Sequence, residues 1–203
     1  MSSQKKDAFN ILLVGVGGQG IILGSNLLAQ LGLKLGLDVK KSEIHGMSQR
    51  GGSVESHVRL APKVLSPLIP KGEANFLVAM EGSESLRHLD FPANDATLIV
   101  STLRVVPPSV TTGKEGYPSA DAIEGELKRH FDSVFMLDVP KILREVGNPR
   151  TANIVQLGCL SAFLPWPEEV WLETLKENLP PKILEVNLKA FGKGREAGLA
   201  ARS

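Results

Sequence analysis

The sequence predicts an α/β fold: a Rossmann-like three-layer sandwich with a mostly parallel sheet and a helical C-terminal section. Two patterns predict it. Residues 9–16 (FNILLVGV) are a short apolar run that ends in glycines, which is typical of a buried parallel strand. From residue 151 onward, by contrast, the apolar residues recur only at helical spacing.

The first strand belongs to a βαβ unit of about 35 residues. Residues 19–36 place apolar side chains at helical spacing, and Gly36 is a natural helix stop. Residues 38–43 (DVKKSE) predict a short second strand. The connection between two such strands is nearly always right-handed.

The middle of the chain predicts more strands and a few helices. Residues 53–60 alternate polar and apolar side chains, which predicts a strand with one wetter face, either antiparallel or at a sheet edge. Further strands are predicted at residues 75–80, 96–101 and 133–139. Helices are predicted at residues 81–89, 120–130 (with Ser119 as cap) and 140–146, and as three consecutive helices after residue 151. We expect one domain over residues 1–203, with the C-terminal helices packed on it.

Composition limits the classes of function. The chain has 203 residues, a net charge of +1 and no apolar run long enough to span a membrane, so we expect neither a nucleic-acid nor a membrane partner. It lacks an N-terminal signal pattern, which leads us to expect a cytoplasmic protein. Its one cysteine, Cys159, excludes an internal disulfide and is too few for an iron–sulfur cluster held by this chain alone.

A glycine-rich turn follows the first strand. Gly15, Gly17 and Gly20 fit G-x-G-x-x-G between a strand and a helix, where free N–H groups and the helix dipole favour an anion. Gly18 and Gln19 add a second adjacent glycine and a side-chain amide. The glycines are candidate cofactor-binding residues, or they only relieve steric crowding at the strand–helix junction.

A second glycine-rich loop follows the second strand. Ser48, Gln49 and Arg50 precede Gly51 and Gly52. In an open parallel sheet this loop is expected beside the first turn, because ligands bind beyond the carboxyl ends of the strands. The Arg50 guanidinium suits a carboxylate or a phosphate. We therefore count all five residues as candidate cofactor-binding residues, together with those of the first turn.

These two loops carry a family resemblance. GVGGQG at 15–20 with SQRGGSVESHVR at 48–59 resembles the gamma-type subunit of 2-oxoacid:ferredoxin oxidoreductases, and within that family the indolepyruvate type. The likeness continues at 66–87, 151–165 and 187–196. The resemblance implies a subunit of an enzyme that decarboxylates a 2-oxoacid on thiamine diphosphate, passes electrons through [4Fe–4S] clusters to ferredoxin, and transfers the acyl group to coenzyme A.

The residues restrict what this chain does in such an enzyme. It has one cysteine and no GDG triplet, so thiamine diphosphate, Mg²⁺ and [4Fe–4S] clusters are expected on a larger partner subunit. We expect no catalytic or metal-binding residue here and an isolated chain that is inactive. Coenzyme A is the ligand that the two glycine loops suit, at a cleft shared with the partner.

Two other functions remain open at this stage. A stand-alone NAD(P)-binding Rossmann oxidoreductase would use Glu43 on a ribose, and a scaffolding domain would use the glycines structurally. The 2-oxoacid is open too: the resemblance suggests indolepyruvate or another arylpyruvate, and pyruvate, 2-oxoglutarate and branched-chain oxoacids are alternatives. Away from the loops, we expect Asn153 and Thr151 to cap a helix and Cys159 to be a buried structural thiol.

Overall fold

A six-stranded sheet forms the centre of the molecule. The computed structural model describes residues 8–46, 52–105 and 116–202. The strands are β1 (Phe9–Val16), β2 (Asp38–His45), β3 (Ser53–Ala61), β4 (Ala74–Ala79), β5 (Pro92–Ser101) and β6 (Ser133–Leu137). Every strand predicted from the sequence is present, with ends that differ by a few residues.

The strand order is β2-β3-β1-β4-β5-β6. The pairs β1–β4, β4–β5 and β5–β6 are parallel, and β3 is antiparallel to both β1 and β2. The antiparallel alternative for β3 is therefore confirmed, and the edge alternative is wrong. β2 pairs with the outer side of β3 and so occupies the sheet edge, and the wetter face of β3 is half-buried at Ser53, Glu55 and Arg59.

Seven α-helices and one short 3₁₀ turn flank the sheet in the described part of the chain. The helices are α1 (Ile21–Lys34), α2 (Gly82–Arg87), α3 (Ala120–His130), α4 (Val139–Val146), α5 (Ala152–Phe163), α6 (Glu168–Asn178) and α7 (Pro181–Arg202). The Ser119 side chain accepts a hydrogen bond from the Ala122 N–H, which confirms that predicted cap. Within this part of the chain, no helix has both the length and the apolar character that a membrane span requires.

Alternation along the strands sorts apolar side chains into two cores. On β1, Ile11 and Leu13 face one core, while Leu12 and Val14 face the other. The larger core contains side chains from α1 and α4 through α7, and the smaller core contains side chains from α3. A strand buried on both faces reads as a continuous apolar run, which is why β1 is easily predicted from the sequence.

The indole rings of Trp166 and Trp171 lie in the larger core. Trp166 packs edge-on against Phe9 at a ring-centroid distance of 5.0 Å, and Trp171 lies 5.7 Å from Phe191. Both tryptophans are buried inside this chain. Cys159 lies in the same core, where burial raises the pKa of its thiol to about 12, so it is a structural thiol as expected.

Three glycines allow α5 and α7 to cross at backbone contact. A Cβ atom on Gly158 would lie 2.1 Å from the Phe191 carbonyl oxygen, and one on Gly194 would lie 1.9 Å from the Val155 carbonyl oxygen. Gly198 is similarly close to the backbone of Cys159. Backbone atoms cannot move aside as a side chain does, so this crossing requires glycine and attaches the last helix to the domain.

Replacing Gly194 by alanine tests this crossing. Because the new Cβ must push two helices apart, we expect Gly194→Ala to lower the free energy of unfolding by about 2 kcal/mol or more, measured by urea denaturation. Gly192→Ala is the matched control on the same helix, since a Cβ there meets nothing within 4 Å. Helix propensity predicts that the control gains about 0.5–1 kcal/mol. Equal stabilities for the two variants would contradict the account.

Candidate functional site

The glycine turn lies where the sheet changes its winding direction. After β1 the chain crosses through α1 to β2 on one side of β1, and β4 pairs with β1 on the other side. Open α/β sheets bind ligands at such a switch point, beyond the carboxyl ends of the strands. The turn of residues 17–20 joins β1 to the start of α1 at that position.

Gly15 and Gly20 are required by their surroundings. A Cβ on Gly15 would lie 2.8 Å from the Cβ of Met80 and 2.7 Å from the Gln19 side-chain oxygen. Gly20 has a φ of +81° and sits against the Asn153 side chain, which a Cβ would approach to 2.6 Å. A side chain at either position would clash with its neighbours, so steric crowding at the strand–helix junction explains Gly15 and Gly20.

The Gln19 side chain joins the ends of two strands. Its Oε1 accepts a hydrogen bond from the Val16 N–H at 2.7 Å, and its Nε2 donates to the Met80 carbonyl oxygen at 3.1 Å. Val16 ends β1, and Met80 follows β4. The side-chain amide predicted as a ligand contact is thus engaged in holding the two strand ends together, which we call the Gln19 clasp.

The exit of the second glycine loop lies beside the first turn. The Gly17 N–H donates to the Gly52 carbonyl oxygen at 2.9 Å, and the Gly46 N–H donates to the Ser53 carbonyl oxygen at 2.8 Å. The expected proximity of the two loops is therefore observed at Gly52. The other candidate residues of that loop, Ser48, Gln49, Arg50 and Gly51, lie outside the described residues.

The turn presents an open surface beside the start of α1. Gly18 is exposed, has a φ of +96° and would place a Cβ with nothing within 4 Å. The first backbone hydrogen bond of α1 runs from the Gly24 N–H to the Gly20 carbonyl oxygen, so the N–H groups of residues 21–23 precede the intrahelical ladder. Gly18 and this helix start together offer an anion space and donors.

The family of the chain follows from comparison with known proteins. The family model for pyruvate ferredoxin/flavodoxin oxidoreductase matches residues 10–197. The chain belongs to this family. The indolepyruvate oxidoreductase subunit IorB of Archaeoglobus fulgidus is 38% identical over 195 residues, which is 95% of this chain and 96% of that subunit.

Solved structures of this oxidoreductase family share the fold. A keto/oxoacid ferredoxin oxidoreductase gamma subunit from Geobacter sulfurreducens aligns with a TM-score of 0.70 at 22% identity, covering 95% of this chain and 99% of that one. A 2-oxoglutarate:ferredoxin oxidoreductase from Magnetococcus marinus, with 2-oxoglutarate, coenzyme A and succinyl-CoA bound, aligns with a TM-score of 0.74 at 21% identity. That match covers 97% of this chain and 32% of the longer one.

The geometry of this family member disfavours a dinucleotide at the turn. In a dinucleotide-binding fold the strand that carries the ribose-binding acid is expected directly beside β1. Here β3 occupies that place, so Glu43 on β2 lies one further strand spacing away, about 4.8 Å. The Glu43 carboxylate also contacts the Lys41 ammonium at 2.5 Å.

The expected N-cap position of Thr151 is confirmed, but the capping role expected of Asn153 is wrong. The Asn153 Nδ2 donates to the Gly20 carbonyl oxygen at 3.2 Å, which links α5 to the glycine turn. Thr151 occupies the N-cap position without a side-chain cap, and its hydroxyl donates to the Asn148 carbonyl oxygen. Asn153 and Gly20 are 133 positions apart, so no local sequence pattern indicates their contact, and a local capping role was predicted for Asn153 instead.

Sequence reasoning missed a group of buried polar residues beside the turn. Glu81, which follows β4, is fully buried and caps α2 by accepting from the Glu84 N–H at 3.1 Å. Glu84 is also buried and accepts from the Ser53 hydroxyl at 2.5 Å. The Ser53–Glu84 bond therefore joins the exit of the second loop to α2. From the sequence alone, Glu81 and Glu84 are typical of a solvent-exposed helix start. Their burial is evident only from the fold.

Two histidines share one carboxylate on the polar face of β3. The His88 Nδ1 lies 2.9 Å from the Glu84 carbonyl oxygen, which only accepts, so Nδ1 carries a proton. Its Nε2 lies 2.8 Å from Glu55 Oε2. His57 Nδ1 accepts from the Ile69 N–H at 3.2 Å, which directs the other ring nitrogen toward Glu55 Oε1 at 3.6 Å. No group of metal ligands was found in the described part of the chain.

Stability should fall below neutral pH because of His57. Burial lowers the pKa of His57 below its ordinary value of 6.5, against the opposing influence of Glu55. As the pH falls through 6.5, His57 takes up a proton in the unfolded chain before it does so in the folded chain. The free energy of unfolding is therefore higher above pH 6.5 and decreases as the pH falls below it. Protonation also removes the acceptor of the Ile69 N–H.

The measurement is urea unfolding between pH 5 and 8. We expect His57→Gln, which keeps an acceptor but does not titrate, to show a shallower loss of unfolding free energy than the wild type below pH 6.5. His130→Gln is the control, because that side chain is 53% exposed on α3. Parallel pH profiles for the wild type and His57→Gln would refute the assignment.

Proposed function

We propose that this chain is a subunit of an indolepyruvate oxidoreductase complex that oxidatively decarboxylates an arylpyruvate to its acyl-CoA and transfers the electrons to ferredoxin. The observation that carries the proposal is the 38% identity with the IorB subunit over nearly the full length of both chains. A likeness without large insertions or missing segments favours the same role in the same kind of assembly.

The redox and decarboxylation chemistry belongs to a larger partner subunit in this proposal. The sequence contains one cysteine, and that thiol is buried with a raised pKa, so it is not a cluster ligand. Thiamine diphosphate, Mg²⁺ and the [4Fe–4S] clusters are assigned to the partner. The protein is expected to work in the cytoplasm, where ferredoxin accepts the electrons from the complex.

This chain contributes a glycine-rich rim to the acyl-transfer cleft. Gly15, Gly17, Gly18, Gln19 and Gly20 form its first part, and residues 48–52 form its second part. The open space at Gly18 and the N–H groups at the start of α1 suit a phosphate of coenzyme A. The relative from Magnetococcus marinus has coenzyme A bound, which supports this choice of ligand over a nicotinamide dinucleotide.

Co-expression with the partner tests the assembly. An affinity tag on this chain is expected to retain a larger subunit with thiamine diphosphate and iron–sulfur absorbance, and the retained complex should reduce ferredoxin when given indolepyruvate and coenzyme A. The isolated chain should do neither. A chain that remains monomeric in the presence of the partner and binds NADH would support the stand-alone dinucleotide-binding oxidoreductase instead.

Arg50→Ala tests the second part of the rim. Loss of a charge-assisted hydrogen bond to a phosphate is expected to raise the KM for coenzyme A roughly tenfold in the assembled complex, with the KM for the 2-oxoacid unchanged. Arg129→Ala is the control, because Arg129 is exposed and pairs with Glu126 on α3. Unchanged coenzyme A dependence in a fully assembled Arg50→Ala complex would remove Arg50 from the site.

A further inference from the structure

We propose that Arg104 is a second anion-binding residue at the same carboxyl edge of the sheet, positioned by Tyr117 and Glu81 to hold a phosphate group of the ligand. The inference rests on the proposed function and extends the site to two residues that neither glycine loop contains.

The Glu81 carboxylate is a fixed point of the carboxyl edge. It is fully buried, and its Oε2 accepts hydrogen bonds from the Ser83 hydroxyl at 2.6 Å and from the Glu84 N–H at 3.1 Å. Its Oε1 accepts from the Tyr117 hydroxyl. A buried carboxylate needs such donors, so the Tyr117 hydroxyl is bound tightly in place.

Tyr117 in turn orients Arg104. The Arg104 guanidinium carbon lies 4.2 Å from the centre of the Tyr117 ring, the geometry of a cation–π contact. Stacking uses the face of the guanidinium and leaves the N–H donors on its edge free for a planar pair of oxygen atoms. Arg104 is exposed, and its guanidinium contacts the Tyr117 ring.

A continuous set of contacts connects Arg104 to the glycine turn. The Gln19 clasp binds the Met80 carbonyl oxygen, Glu81 is the next residue, and Glu81 holds Tyr117. In the sheet, β1 pairs with β4 and β4 pairs with β5, so the strand before Arg104 lies about 10 Å from β1. That separation is within the length of one extended, phosphate-bearing ligand.

The test uses the assembled complex and three acyl acceptors: coenzyme A, 3′-dephospho-coenzyme A and pantetheine. Arg104→Gln is expected to raise the KM for coenzyme A roughly tenfold or more, because a charge-assisted contact is lost, and to leave the KM for pantetheine unchanged. Arg104→Lys should fall in between, since an ammonium keeps the charge but not the bidentate geometry. If Arg104 holds the 3′-phosphate, the KM for 3′-dephospho-coenzyme A should be unchanged by Arg104→Gln, as for pantetheine. If Arg104 holds the pyrophosphate, that KM should rise as it does for coenzyme A.

Tyr117→Phe tests whether the hydrogen bond to Glu81 positions Arg104. The variant keeps the ring that packs against Arg104 but loses the hydrogen bond to Glu81. We expect a smaller rise in the KM for coenzyme A and again no change with pantetheine. Arg129→Gln, at the opposite end of α3 from Tyr117, is the matched control.

Three outcomes would overturn the inference. An Arg104→Gln complex with a wild-type KM for coenzyme A would show that Arg104 binds no phosphate. Equal effects on coenzyme A and pantetheine would assign a structural role, and loss of the partner subunit from the variant would assign Arg104 to the subunit interface. A wild-type complex without any coenzyme A-dependent turnover would instead overturn the proposed function, and this inference with it.

Discussion

The candidate site depends on the Gln19 clasp, the pair of hydrogen bonds by which one side-chain amide joins the end of β1 to the end of β4. At a switch point the chain leaves neighbouring strands in opposite directions, so no helix or hairpin joins those two strand ends directly. The Met80 N–H donates to the Val14 carbonyl oxygen, and Gln19 adds a side-chain connection from within the glycine turn. Position 15 requires glycine because the Gln19 side-chain oxygen and Met80 occupy the space that a Cβ would need. The clasp therefore fixes the position of the open surface at Gly18 relative to the buried carboxylate of Glu81.

The insertion of β3 beside β1 separates this site from a dinucleotide site with the same glycine spacing. The β2–β3 hairpin returns the chain to the place where a ribose-binding strand is expected, and Gly52 then takes the Gly17 N–H. On the polar side of β3, His57 is buried, while Ser53, Glu55 and Arg59 are half-buried, as the alternation of the sequence predicted. A small antiparallel addition therefore gives a nucleotide-like motif different surroundings, and in the proposed function that motif is part of an anion-binding rim.

Sequence patterns predicted the elements whose causes are local. The apolar run of β1, the Ser119 cap and the three C-terminal helices each follow from neighbouring residues. The position of β3 and the contact of Asn153 with Gly20 could not be predicted, because they depend on partners far away in sequence. The same holds for Gln19, whose partner Met80 is 61 residues distant. The sequence predicts that these glycines meet at one strand–helix junction, but the division into sterically required residues (Gly15, Gly20) and an open one (Gly18) depends on the packing around them.

The most direct test of the central claim is backbone hydrogen exchange on the assembled complex, compared with and without coenzyme A. If this chain forms the anion-friendly rim of the acyl-transfer cleft, peptides that contain residues 17–23 should exchange more slowly when coenzyme A is bound. Peptides from the α5–α7 crossing should be unaffected, because those residues are already buried. The account would be contradicted by a complex whose turnover requires coenzyme A and whose glycine turn exchanges at the same rate with and without it.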